Sequence, residues 1–103
     1  MKKKTIKDGD LRKYKINDCL LKMSMNEHRE AVRLIPRQIG ISLNTFHNYR
    51  NILINDRQDI PYEKVMRFEI FFELKMGELL NKVIKGTSFK ELSAKEPKKE
   101  PNK

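Results

Sequence analysis

The sequence predicts an all-α fold: a compact bundle of about five short helices with flexible basic N- and C-terminal tails. Three observations lead there. Apolar residues recur at spacings of three and four, as in Ala31, Val32 and Ile35, in Phe46 and Tyr49, and in Val65, Phe68 and Phe72, the period of a helix with one buried face. Capping and turn residues punctuate these runs where helices should start and stop. No alternating strand pattern competes, apart from a short stretch around Tyr14 to Ile16.

At 103 residues the chain is long enough for one hydrophobic core and too short for two. Charged residues make up 36%, apolar residues 38%, and Trp is absent, so the folded part should be shorter than the whole chain. We divide it into a flexible basic arm (residues 1–15), a helical domain (16–84) and a charged tail of disordered composition (85–103).

Within the domain, Asn17 or Asp18 is placed to cap a short helix carrying Cys19, Leu20, Leu21 and Met23. Ser24 and Glu27 then have capping-box spacing, in which a hydroxyl and a carboxylate each satisfy a free amide at a helix start. The helix they open is interrupted by Pro36, which lacks an amide proton and is tolerated mainly in a first turn. Pro36 either kinks this helix or starts a new short one ending at Gly40, and we favour the new start. Gly40, Ile41 and Ser42 form the most informative punctuation: a glycine able to turn left-handed, an apolar residue and a Ser N-cap. A helix from Leu43 to Ile52 should follow, with Phe46 and Tyr49 inward and Asn44, His47, Asn48 and Asn51 outward. After a polar loop, Asp59, Ile60 and Pro61 signal a helix to about Phe72. Met76 to Ile84 make a last helix through Leu79, Leu80, Val83 and Ile84.

The net charge is +9, which favours an anionic partner. Its distribution is uneven: +5 over residues 1–15, +2 over 16–58, −1 over 59–84 and +3 over 85–103. A lone cysteine, Cys19, excludes an internal disulfide and reads as a small buried hydrophobe. With only His28 and His47 beside it, no zinc cluster of Cys and His can assemble. No apolar run approaches a membrane span, and the N-terminal lysines are not followed by a signal-peptide stretch, so we expect no membrane partner. No nucleophile triad, phosphate-cradling glycine loop or metal-ligand spacing is present. We therefore expect neither an enzyme nor a cofactor.

Two helices joined by a tight turn containing Gly, the second presenting polar side chains outward, is the layout that lets a helix enter the DNA major groove. Residues 32–51 resemble the helix-turn-helix of the lambda-repressor-like (Cro and phage-repressor) family, through Ile35, Gly40, Ile41, Ser42, Phe46 and Tyr49 at the family's spacing. The resemblance extends over roughly residues 17–84, since Ile60 and Pro61, then Val65, Phe68 and Phe72, then Leu74, Met76 and Leu79, are similar to its last two helices. Departures from the pattern are Pro36 for a small Ala, Arg50 for an acid, a longer loop from Arg50 to Pro61, Glu69 for a small residue and Glu73 for a helix-ending Gly.

The resemblance implies double-stranded DNA as partner and a transcriptional regulator of prokaryotic or phage type, a repressor rather than an activator, in the cytoplasm of a prokaryotic cell or a phage-infected host. It implies base-edge contacts from Ser42, Leu43, Asn44, His47 and Asn48, and phosphate contacts from Arg37, Gln38, Thr45, Arg50 and Asn51. It also implies a homodimer through the last two helices, using Ile70, Phe71, Leu80, Ile84 or the tail. The side-chain chemistry suits base reading independently: Asn pairs bidentately with adenine, His donates to a guanine acceptor and Leu touches a thymine methyl. No acid lies between Ile35 and Asp56, where a carboxylate would repel phosphate. Two rival readings remain. One is a protein-binding or structural module of a phage or mobile element, which predicts a dominant apolar patch at Ile70, Phe71 and Ile84. The other is sequence-blind nucleic-acid binding by the basic tails.

Overall fold

The computed structural model describes residues 11–95. Within them are five helices: α1 (Ile16–Leu21), α2 (Met25–Ile39), α3 (Leu43–Arg50), α4 (Tyr62–Phe71) and α5 (Phe89–Lys95). The fold is all-α, and the strand-like pairing among the described residues consists of isolated bridges, Arg12 with Leu53 and Tyr14 with Leu80, both antiparallel.

The core forms where helical spacing brings apolar side chains to one side. Ile16 and Leu20 of α1, Ala31, Ile35 and Ile39 of α2, Phe46 and Tyr49 of α3 and Phe68 of α4 are all buried, together with Ile52, Ile60 and Leu79 from the connections. Phe68 is the hub. Its ring lies 6.4 Å from Phe46 in a stacked arrangement and 6.4 Å from Tyr49 edge-on, while Phe72 stacks on it at 6.3 Å. Such aromatic pairs add about 0.5–1.5 kcal/mol each beyond simple burial.

α2 begins at the expected capping box. Ser24 Oγ accepts from the Glu27 amide at 3.1 Å and Glu27 Oε1 accepts from the Ser24 amide at 2.9 Å. It then continues past Pro36, which neither starts a new helix nor ends this one. The missing amide proton deprives only the Val32 carbonyl of its helical donor. Continuity is favoured because Ile35 and Ile39, one turn apart, are both buried on the same face as Ala31. The helix stops at Gly40, in the left-handed region at φ 83, with the amides of Gly40 and Ile41 both donating to the Pro36 carbonyl at 2.9 Å.

Other expectations need correction. α1 starts at Ile16, one residue before its expected caps, and Lys15 at its N-cap makes no side-chain capping bond. α3 ends at Arg50, two residues short of Ile52.

Residues 76–84 are not helical. Glu73 ends α4 in the left-handed region at φ 57. Glu69 is buried, and its Oε2 accepts from the amides of Gly77 at 2.9 Å and Leu79 at 3.0 Å. Gly77 itself has φ 88. With the amides of Gly77 and Leu79 drawn to one carboxylate and Gly77 itself left-handed, the segment follows a turn rather than a helix.

Leu11 to Lys15, expected in the flexible arm, belong to the folded unit. Lys13 donates its amide to the Ile52 carbonyl at 2.8 Å, Lys15 to Leu79 at 2.8 Å, and Ile54 and Asn81 donate to Leu11 and Lys13 at 2.7 and 2.8 Å. This extended strip is thereby stitched between residues 52–54 and 79–81. Tyr14 is buried and its hydroxyl accepts from the Ile60 amide at 3.0 Å. Residues 89–95, expected in the disordered tail, form α5, whose start is capped by Ser88 Oγ accepting from the Glu91 amide at 3.1 Å. The remaining arm and tail expectations fall on residues 1–10 and 96–103, outside the described residues.

Candidate nucleic-acid interface

Two buried aromatic residues orient α3. Phe46 and Tyr49 face the core, and helical geometry turns Asn44, His47, Asn48 and Asn51 to the opposite side. Asn44, Asn48 and Asn51 are exposed and His47 is half-buried. Leu43, at the first position of the helix, is half exposed at 51%.

Ser42 serves α3 as its N-cap: its Oγ accepts from the Thr45 amide at 3.0 Å and donates to Thr45 Oγ1 at 3.0 Å. That use competes with the base-contacting role expected of it and ties Thr45 to the same turn. Asn51 caps the other end, its Nδ2 donating to the His47 carbonyl at 2.8 Å, which leaves a second amide proton and Oδ1 for an outside group.

Arg50 is held by a residue that the sequence did not single out for this purpose. Its Nε donates to Asn17 Oδ1 of α1 at 2.8 Å, and its guanidinium carbon lies 5.3 Å from the centroid of the Phe46 ring. None of these neighbours is acidic, so its charge stays uncompensated by them. The Arg50 Nη1 also approaches His47 Nδ1 at 3.4 Å. A guanidinium only donates, so a hydrogen bond between the two would have Nδ1 as its acceptor.

Arg37 and Gln38 are exposed in the last turn of α2, beside the turn leading into α3. Beneath that turn, Lys64 of α4 donates from Nζ to the Ile39 carbonyl at 3.2 Å, a cation on the negative end of α2. Lys64 was missed from the sequence because nothing in its local pattern tells which helix end it will meet. Asn17 was missed for the same reason: read as a cap, it acts across 33 positions of chain.

The expected residues therefore occupy one end of α2, the turn, and the outer side of α3. The acid-free stretch between Ile35 and Asp56 covers the whole of this surface. Among the described residues no group of three or more His, Cys, Asp or Glu could hold a metal ion. No helix among them is long and apolar enough to cross a membrane. Comparison with protein-family models, with curated proteins and with solved structures finds no match for this chain.

Proposed function

We propose that this protein binds duplex DNA in a sequence-specific manner, with α2, the Gly40–Ser42 turn and α3 working as a helix-turn-helix and α3 entering the major groove. The observation that carries the reading is the chemistry of the outer face of α3: two free carboxamides one turn apart, Asn44 and Asn48, with the half-buried His47 ring beside them, in a stretch of sequence without acid. Asn44 and Asn48 supply the donor and acceptor pair that matches an adenine edge, His47 a donor for a guanine acceptor, and Leu43 an apolar contact for a thymine methyl. Ser42 sets the start of α3 and reads bases only with its remaining hydrogen-bonding capacity. Arg37, Gln38, Thr45, Arg50 and Asn51 hold the phosphates on either side. As a regulator of transcription the protein is a repressor by this reading, which rests on the resemblance to the lambda-repressor-like family alone.

The test is selection from a random duplex library at low and near-physiological salt. An enriched motif that survives the higher salt supports sequence reading, because charge attraction alone fades steeply with salt. Against the selected site, alanine at Asn44, His47 or Asn48 costs about 1–3 kcal/mol and relaxes one position each, whereas Arg50→Ala weakens all sequences alike. Uniform loss on every sequence from all four variants refutes the assignment and returns the binding to simple charge.

A further inference from the structure

Arginine side chains in this fold are held in two different ways. Arg33 and Arg67 each pair with an acid of their own helix, Arg33 with Glu30 at 2.7 Å and Arg67 with Glu63 at 2.9 Å. Arg50, half-buried at the end of α3, meets neutral groups instead. Asn17 Oδ1 accepts from its Nε at 2.8 Å, Asn17 Nδ2 faces the Arg50 carbonyl at 3.5 Å, and the buried Phe46 ring has its centroid 5.3 Å from the guanidinium carbon. Among the described residues no carboxylate forms an ion pair with Arg50.

An aspartate at position 17 would accept the same Nε proton and add an ion pair. The carboxamide does something the acid would not: it fixes the side chain and leaves the whole positive charge for an outside group. Nε is occupied and Nη1 faces His47 Nδ1 at 3.4 Å. The open donors are therefore those of Nη2 and the other proton of Nη1, a fork suited to two oxygens of one phosphate. A side chain fixed in advance also loses less rotamer freedom on binding than one that swings free.

We propose that Asn17 is the positioning residue of Arg50: a neutral clasp from α1 that aims the guanidinium, with its charge intact, at a phosphate of the DNA backbone beside the groove that α3 enters. The proposal rests on the DNA-binding reading and gives a part in it to a residue outside α2, the turn and α3. Asn17 acts through Arg50 and on the backbone, so its effect falls on every sequence alike.

The test measures binding of the full chain to its selected duplex site by fluorescence anisotropy over a salt series, with melting temperatures by circular dichroism beside it. Arg50→Ala should lower the slope of log affinity against log salt by about 0.9, the share of one phosphate contact. Asn17→Ala keeps the charge but frees it, and should weaken every sequence by about 3- to 10-fold, the scale of one hydrogen bond. It should have no further effect once Arg50 is alanine. Asn17→Asp should lower the slope as Arg50→Ala does, with a melting temperature no lower than that of wild type. A merely structural Asn17 gives a different pattern: Asn17→Asp binds like wild type, or the loss from Asn17→Ala persists in the Arg50→Ala background, and either result overturns the proposal. So does an Asn17→Ala protein that binds as tightly as wild type, or an unchanged slope in Arg50→Ala. The DNA-binding reading fails by a separate result, a wild type that selects no site, and the proposal then falls with it. A selected site that depends on Asn44 and Asn48 but not on Asn17 ends the proposal alone.

Discussion

Replacing Lys13 by Met tests whether the strip before α1 is structural. Lys13 is 8% exposed, and its ammonium donates to the Asp56 carbonyl at 2.7 Å, the Gln58 carbonyl at 2.8 Å and Asp59 Oδ1 at 2.8 Å. Methionine keeps most of the aliphatic stem and deletes the cation. Three charge-assisted bonds at about 1.5–3 kcal/mol each would sum to far more than the true effect. The acceptors sit in an exposed loop, the Asp59 side chain is 69% exposed, and all three oxygens regain water when the ammonium goes. Removing the ammonium also removes its own desolvation cost. The net loss should be about 2 kcal/mol, which for a domain of this size lowers the melting temperature by roughly 8–16 °C. Asp59→Asn, acting on the exposed partner, should cost less than about 1 kcal/mol, and breaking the exposed Arg33–Glu30 pair at 2.7 Å only about 0.2–0.5 kcal/mol. Urea melts followed by circular dichroism would rank the three. Lys13→Met within about 0.5 kcal/mol of wild type, the range of an ordinary surface change, would refute the reasoning, as would Asp59→Asn costing as much as Lys13→Met. A deletion that tests the basic arm must therefore stop at residue 10, because removing 1–15 also takes Lys13 and Tyr14 out of the folded unit.

Three further outcomes are expected. Glu73→Gly should stabilise the protein by about 1 kcal/mol, because glycine relieves the left-handed strain at φ 57 at the end of α4; chemical denaturation should show a higher midpoint with an unchanged slope. Gly40→Ala should destabilise by about 1–2 kcal/mol through the same strain in reverse, at φ 83; the Lys64 Nζ that an added Cβ would meet at 3.3 Å is the end of a flexible chain and can move aside. Burial, above all, raises the Tyr14 hydroxyl above its ordinary 10.0. The stability this represents is fully present below pH 10 and is lost as pH rises through the folded value, so the melting temperature should fall in strong alkali and Tyr14→Phe should flatten that fall.

The middle of the fold was legible because its signals are local. The Ser24–Glu27 box, the Gly40 turn, the Ser42 cap and the inward pair Phe46 and Tyr49 each depend on residues within a few positions, and helical periodicity reports them directly. What was not legible depends on partners far along the chain. Lys13 meets acceptors more than forty positions away, Asn17 holds Arg50, and the extended strip from Leu11 to Lys15 exists only because residues 52–54 and 79–81 flank it. Pro36 misled because a strong local rule was outweighed by burial of Ile35 and Ile39 around it. The run from Met76 to Ile84 misled in the opposite direction. Its apolar spacing suits a helix, but the buried Glu69 carboxylate claims the amides of Gly77 and Leu79, and no periodicity reveals that a carboxylate will be waiting there.

The division of labour within α3 has a further consequence. Phe46 and Tyr49 anchor the helix against Phe68, Ser42 and Asn51 close its two ends, and Arg50 is clasped to α1 by Asn17. None of these roles falls to Asn44 or Asn48, whose side chains project from two turns of helix that others hold in place. Changes at these two positions should therefore alter what is recognised while leaving the melting temperature almost untouched. The scaffold could be retargeted by exchanging a pair of surface amides, and a library varied at these positions would remain a library of folded proteins.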